Sequence, residues 1–369
     1  MTTKLKPPFK EMYENYLLSK ENDNSKMISE HWNVFQNNFD RTIEETSSWK
    51  SFLRNSISIG FNDNLMDFGN TRFLKDSKFK DGWELRKNNN FENLINEKIT
   101  NQDENHKNIK LLNYIFSLCG VDFVINNIQS NVGSPTKTFF KLKTNKYSNE
   151  EFYCNYHDLL EIYHFFLINK YLKKLLSSKL ITLLEIGSGY GGLNSKIKKK
   201  YKNTRCILID LPEMSAVQTY YLSSEFPNAK ILFLKDFINK KNNILDMEFD
   251  FLILPFWEIE KIPKNCINLI INIRSMMEMK LNTINFYFKN INRIISNKGF
   301  FICFNRYQKN NLSKEVTVLK DYPFDLYWKI MLSETSKLQK HVHQLILERK
   351  KTKNFNSVKE SMKNYPPIR

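Results

Sequence analysis

The run Leu183-Leu184-Glu185-Ile186-Gly187-Ser188-Gly189-Tyr190-Gly191-Gly192 limits the folds open to this chain more than any other stretch. An apolar segment that closes on an acid and enters a glycine-rich turn is how strand, cofactor loop and helix follow one another in a nucleotide-binding α/β sheet. Glycines reach positive φ and let a ligand approach the backbone, and the N–H groups that open the next helix favour polar or anionic ligand groups. The chain is therefore expected to be an enzyme built on a parallel sheet.

Two cofactors satisfy this loop. Gly187, Gly189 and Gly192 fit the G-x-G-x-x-G spacing of dinucleotide folds, whereas Glu185 with Gly187, Gly189 and Gly191 fits E-x-G-x-G-x-G. A dinucleotide brings a pyrophosphate to the helix N-terminus, and a carboxylate two residues before the first glycine is a poor neighbour for it. S-adenosylmethionine carries no phosphate; its sulfonium and α-ammonium are cationic, so the same acid attracts it. The residues favour S-adenosylmethionine and leave NAD(P) as the alternative. Ser188, inside the loop, is grouped with the cofactor residues. Arg205-Cys206-Ile207-Leu208-Ile209-Asp210 reads as the second strand, and Asp210 at its tip is placed to accept hydrogen bonds from ribose hydroxyls, with Leu211 beside it. Asp210 could equally be a surface acid ahead of the helix that Leu211-Pro212-Glu213 opens.

Three segments taken together resemble a known family. They are Glu185 to Gly192; Asp210-Leu211-Pro212-Glu213 with Gln218-Thr219-Tyr220-Tyr221-Leu222; and Asn272-Ile273-Arg274-Ser275-Met276-Met277-Glu278-Met279. This set resembles the sugar O-methyltransferase family of the class I S-adenosylmethionine-dependent methyltransferases. The likeness extends to Tyr287-Phe288, to Phe304-Asn305-Arg306 and more loosely to Asp321-Tyr322-Pro323-Phe324-Asp325, so it covers roughly residues 150–350 and little of the first third. It implies methyl transfer from S-adenosylmethionine to a hydroxyl of a nucleotide-sugar, a glycolipid or a surface-polysaccharide precursor.

From Ile181 onward apolar strand-like runs alternate with helical ones, the pattern of a doubly wound parallel sheet. Strands are predicted near 181–186, 205–210, 230–234, 268–273 and 299–304, with Phe249 to Phe256 competing with 230–234 for third place. Asp325 to Ser333 and His343 to Arg349 predict the antiparallel strand pair that closes class I methyltransferase sheets. Upstream, Phe9 to Leu18, His31 to Phe39 and Thr42 to Phe52 have helical spacing, Phe116 to Ile128 is an apolar segment ending in the turn cluster Asn131 to Pro135, and Glu151 to Leu176 predicts one long amphipathic helix. The expected organisation is a mainly helical region over 1–150, serving the acceptor, a lid or oligomerisation; a cofactor-binding methyltransferase domain over 151–352; and a basic flexible tail over 353–369.

Five cysteines without C-x-x-C spacing read as reduced core residues. With no apolar leader and no run of about 18 apolar residues, a cytoplasmic protein with no transmembrane segment is expected. The net charge of +17 is compatible with an anionic or lipid-linked glycan acceptor, and no nucleic-acid-binding module or N/D-P-P-Y/F motif points to a nucleic-acid partner. The densest basic run, Lys196, Lys198, Lys199, Lys200, Lys202 and Arg205, reads as a solvated helix face. Y-x-x-x-K, which a short-chain dehydrogenase needs, occurs only at Tyr16 and Lys20, far from the sheet.

Acceptor chemistry belongs at the carboxyl ends of the strands. A sugar hydroxyl is a weak nucleophile, so a base beside the cofactor would help. Glu278 is the first candidate, in the first turn of a helix predicted over Met276 to Ile294, with Arg274, Asn272 and Ser275 orienting; the two latter could instead cap that helix. His157, followed by Asp158, is a second candidate base. Asp236 and Phe237 are expected to receive the adenine; if Phe249 to Phe256 is the third strand, Phe256 and Trp257 take that place. Tyr153, Tyr163 and Trp49 are aromatics of the kind that stack on a sugar ring. No His, Cys or carboxylate cluster has metal-ligand spacing, so no metal site is expected.

Overall fold

The computed structural model describes residues 9–20, 95–97, 102–128, 132, 138–142, 144, 146–147, 150–154, 156–177, 180–241, 243–310, 316–353 and 357–362. The helices expected over 31–39 and 42–52, and Trp49, lie outside them. The chain begins with helix α1 (Phe9–Lys20), strand β1 (Ile95–Glu97), helices α2 (Gln102–Cys119) and α3 (Val121–Ile125), and strands β2 (Thr138–Leu142) and β3 (Glu151–Cys154). β2 pairs antiparallel with both β1 and β3. The long helix expected from Glu151 therefore starts later, as α4 (Tyr156–Leu176). Phe152 and Tyr153 are strand residues whose neighbours across β2 are Phe140 and Phe139; aromatic cross-strand pairs stabilise a strand where helical spacing alone suggested otherwise. Residue 150 falls between two strands of one sheet.

Strand β4 (Ile181–Ile186), helix α5 (Gly192–Lys200), strand β5 (Thr204–Asp210), helix α6 (Met214–Glu225), strand β6 (Ile231–Leu232) and helix α7 (Leu234–Asn239) come next. Strands β7 (Phe251–Pro255) and β8 (Ile267–Ile273), helix α8 (Leu281–Ile294) and strand β9 (Ile295–Arg306) follow. The small hairpin β10 (Gln308–Asn310) and β11 (Val316–Val318), strands β12 (Trp328–Thr335) and β13 (Val342–Arg349), and helix α9 (Val358–Ser361) complete the order. One eight-stranded sheet runs β12-β13-β9-β8-β4-β5-β7-β6. Its six strands from β9 to β6 are parallel, and β13 and β12 close it antiparallel. The expected doubly wound parallel sheet is in place, with the expected antiparallel strand pair at its end.

The apolar runs were continuous because a parallel sheet is covered on both faces. All six residues of β4 are buried. Leu184 and Ile186 point into a core shared with α8, through Ile284, Phe288 and Ile291, while Leu183 joins one shared with α2, α4 and α5. Cys206 and Leu208 pack toward α6 and toward Met12 and Tyr16 of α1. The third-strand ambiguity is resolved for Phe251–Pro255, which lies beside β5; the rival is a two-residue edge strand, because α7 begins at Leu234.

Two further expectations are corrected. The basic run is only partly a solvated face: Lys199, Lys200 and Lys202 are exposed, but Lys196 and Lys198 are buried. Lys196 lies 3.2 Å from Asp158, and Lys198 lies 2.6 Å from Asp250. Lys199 pairs with Glu225, the Lys200 ammonium sits over the rings of Phe123 and Phe165, and Arg205 donates to Thr182 and to the Ile244 and Met247 carbonyls. Within the tail, α9 docks against the sheet with Val358 and Met362 buried in the core. All five cysteines are free, four of them buried. No described helix is long and apolar enough to cross a membrane.

Candidate functional site

β4 delivers Glu185 and Ile186 to the carboxyl edge of the sheet, where the chain turns through Gly187, Gly189 and Gly191 at φ of 68°, 54° and 90°. The two turn positions do different work. A Cβ on Gly187 would collide with the Ser275 hydroxyl, so glycine lets the loop after β8 close over the end of β4. A Cβ on Gly191 would press on Leu208 and Leu222, which makes this glycine a packing residue away from the cavity wall.

A cavity of about 270 Å³ opens at this edge. The glycine loop, the ends of β5 and β8, the inner face of α4 and the start of α8 line it. Glu185, Gly187, Ser188, Gly189, Asp210 and Leu211 are all on its wall, as are the three catalytic candidates His157, Arg274 and Glu278. Asp210 accepts the Gly189 N–H on Oδ2 and the Leu211 N–H on Oδ1, both at 2.8 Å. Ser188 and the Gly189 carbonyl are held by the Gln218 amide at 3.0 and 2.9 Å. The loop is thus fixed from α6 and from the tip of β5 together.

The acids here carry a shared burden. Burial pushes Asp210 up to about 7 against the lowering effect of its two backbone hydrogen bonds. Glu185 is raised well above the usual carboxylate range, by burial first and then by repulsion from Glu161 and Asp210, with only the Asn194 amide opposing. Glu161 of α4 is also raised to about 7, by burial, although Lys196 lies 3.8 Å away. Glu185 and Asp210 make no ion pair among the described residues. Two carboxylates, Glu185 and Asp210, held close together without an ion pair of their own suit a cationic ligand and disfavour a pyrophosphate. The acids on the cavity wall therefore fit the cationic groups of S-adenosylmethionine.

The loop after β8 is locked by its own side chains. Asn272 donates to the Ile186 carbonyl at 2.9 Å and to Ser275 Oγ at 2.5 Å, and Asn305 of β9 donates to Asn272 Oδ1 at 2.8 Å while accepting from the Met277 N–H at 3.2 Å. Asn272 and Ser275 therefore hold the strand ends together. The helix predicted from Met276 is broken: a single 3₁₀ turn covers Met276–Glu278, and α8 starts at Leu281. Glu278 sits on that turn, 2.5 Å from Lys309 of β10.

Burial, and then the field of Arg274, lowers His157 and His164 to about 3, so both face the cavity as neutral imidazoles. The geometry moves the adenine expectation from Asp236 and Phe237 to the alternative. Asp236 caps α7 by accepting the Phe233 N–H at 2.9 Å, and Phe237 is fully buried in the core. Phe256, directly after β7, lines the cavity. Tyr163 is a buried core residue and Tyr153 a strand residue; neither lines the cavity. Among the described residues no group of three or more His, Cys, Asp or Glu could hold a metal ion.

Sequence reasoning did not place Glu161, Tyr287 or Lys309 at the site; His164, seven residues after His157 on the same face of α4, also lines the cavity. Glu161 lies four residues after His157 on α4, the spacing that brings two side chains to one helix face, and this was the signal available.

No protein-family model matches the chain, and no curated protein matches it. Matches to solved structures are partial. The PH0226 protein of Pyrococcus horikoshii is 14% identical over 49% of this chain and 89% of its own, with a TM-score of 0.32. A SAM-dependent methyltransferase from Aquifex aeolicus is 14% identical over 49% and 88%, with a TM-score of 0.30. An O-methyltransferase family 2 protein from Planctomyces limnophilus, in complex with apigenin, is 13% identical over 46% of this chain and 49% of its own, with a TM-score of 0.31. Similarity this distant leaves fold and chemistry to be argued from strand order and from the cavity itself.

Proposed function

We propose that the protein is an S-adenosylmethionine-dependent O-methyltransferase whose acceptor is a sugar hydroxyl, on a nucleotide-sugar, a glycolipid or a polysaccharide precursor, and that it works in the cytoplasm. The observation that carries the cofactor is the buried Glu185 with the partly buried Glu161 and Asp210, gathered around a glycine loop at the carboxyl edge of a doubly wound parallel sheet. The sugar rests on the resemblance of the segments at 185–192, 210–222 and 272–279, which the fold brings together around one cavity. Bound there, S-adenosylmethionine supplies a methyl carbon already activated toward displacement by its sulfonium.

The chain's own residues then have separable tasks. Glu185 offers its carboxylate to the cationic part of the cofactor, whose positive charge would offset the burial that raises it, and Glu161 adds to the acidity of that wall. Asp210, fixed by two backbone N–H groups, offers its remaining lone pairs to the ribose. Phe256 offers an aromatic face to the adenine. Glu278 is the acceptor-side base: it lines the cavity, and Lys309 holds its carboxylate in place. His157, a neutral imidazole with a pKa of about 3, orients the acceptor by hydrogen bonding and is a poor proton acceptor.

Isothermal titration with S-adenosylhomocysteine, beside NAD+ and NADP+, tests the cofactor. The expected result is micromolar binding of the homocysteine compound alone, lost in Gly187→Arg and in Glu185→Lys while both variants stay folded. Tight binding of a nicotinamide dinucleotide would instead move the site to redox chemistry. With an acceptor in hand, Glu278→Gln should lower turnover by about a hundredfold, the usual size of a general-base contribution, while cofactor affinity stays within about twofold. Full turnover in that variant removes Glu278 from the role.

A further inference from the structure

The cavity wall is divided by charge. Glu161, Glu185 and Asp210 stand on the side of the glycine loop, and Arg274 is the one cation among the lining residues, on the side formed by the ends of β8 and β9. It follows directly on β8, where its N–H donates to the Phe304 carbonyl of β9 at 2.8 Å, and it takes a left-handed φ of 61°. A side chain with a Cβ is strained there, and glycine or asparagine would relieve the strain. Its Nε is shielded from solvent with no hydrogen-bond partner, and no ion pair reaches its guanidinium among the described residues. Two unfavourable features, a strained backbone and an unsatisfied buried donor, thus meet at one residue that faces a cavity.

Nothing on that wall neutralises it. The carboxylate of Glu278 is engaged by Lys309. His157 and His164 are uncharged at neutral pH, and Lys309 and His341 both lie in the positive field of Arg274 and Arg306. We propose that Arg274 reads the acceptor: the sugar that enters this cavity carries a carboxylate or a phosphate, which the guanidinium grips through its planar fork. The proposal rests on the methyltransferase reading above. The cofactor's own carboxylate is the competing occupant, and the placement argues against it. Arg274 lies on the same loop as Glu278, the acceptor-side base, and its charge acts on His157 and His164 of α4.

Calorimetric titration at constant ionic strength, on protein saturated with S-adenosylhomocysteine, separates these occupants, using D-glucuronate and D-glucose 1-phosphate against D-glucose. At least one of the two anions should bind the wild type about tenfold or more tightly than glucose. The difference should vanish in Arg274→Asn, which suits the left-handed backbone, and survive in part in Arg274→Lys, which keeps the charge without the fork. Equal binding of charged and neutral sugars by the wild type overturns the proposal. So does a large loss of S-adenosylhomocysteine affinity in Arg274→Asn with affinity for 5′-methylthioadenosine unchanged; that analogue lacks the carboxylate, so the fork would then belong to the cofactor. If S-adenosylhomocysteine fails to bind the wild type, the methyltransferase reading fails on its own, and the same sugar titrations on the protein alone still decide whether Arg274 holds an anion.

Discussion

Asp210 spends one lone pair of each carboxylate oxygen on a backbone N–H, yet burial still raises it to about 7. Because the folded state holds its proton more tightly than the unfolded chain does, the stability due to this proton is fully present below about pH 4. It is lost as pH rises through about 7. Asn at this position cannot titrate, and its single acceptor oxygen satisfies only one of the two N–H groups at every pH. The difference in unfolding free energy between wild type and Asp210→Asn should therefore fall by at most about 1.4 kcal/mol per pH unit between pH 4 and 7 and level off above. Urea unfolding at pH 5, 6, 7 and 8 measures it, and a pH-independent difference would refute the raised pKa. The positions of Asp210, Glu185 and Gly187 were legible in the sequence because local order fixes them: a strand tip and a positive-φ turn are adjacent along the chain. Glu161 was harder to see: its spacing from His157 puts the two on one face of α4, but only the packing of α4 over the glycine loop brings that face to the cavity.

At the scale of elements, α5 shows how charge is misread when its partners are distant in sequence. A run of lysines after a glycine loop looks solvated, but Lys196 is 2% exposed and fits between Asp158 and Glu161 of α4, with the Asn127 carbonyl 3.1 Å from its ammonium. This lysine ties the helix that follows the loop to the helix that precedes the sheet. Removing it leaves buried acids without their cation, so Lys196→Met should cost about 3 kcal/mol. Asp158→Asn on that background should recover part of the loss, because a neutral amide needs no counter-charge. Chemical denaturation of the two variants checks the cycle, and an unchanged midpoint in Lys196→Met would show that the pair contributes nothing. The same dependence on distant partners explains β3. Helical spacing from Glu151 onward was real, but pairing of Phe152 and Tyr153 with β2 decided the local structure, and that partner lies across a turn.

For the whole molecule, the sheet was readable because strands buried on both faces must be apolar throughout, whereas the order of β6 and β7 turned on an edge strand only two residues long. The end of the chain was misread for a complementary reason: a basic, polar segment was assigned to a flexible tail on composition, although two apolar residues four apart suffice to dock one helical turn. Val358 and Met362 are that pair. Both are at most 1% exposed, in the same core cluster as Trp328, Leu345 and Leu347 of β12 and β13, and Ser361 lies 2.7 Å from Ser333 across the join. Because β12 and β13 extend the sheet beyond β9, this cap covers the part of the core farthest from the glycine loop. A chain ending at Lys353 loses both side chains and uncovers the apolar surface beneath them. The expected cost is about 4 kcal/mol, and the melting temperature should fall by roughly 10 °C. Binding of a hydrophobic dye to the native state should rise in parallel as that surface is exposed. Cofactor affinity measured well below the melting temperature should stay unchanged, since neither Val358 nor Met362 is among the residues that line the cavity. A shortened chain that melts like the full one would mean that β12 and β13 are stable without their cap.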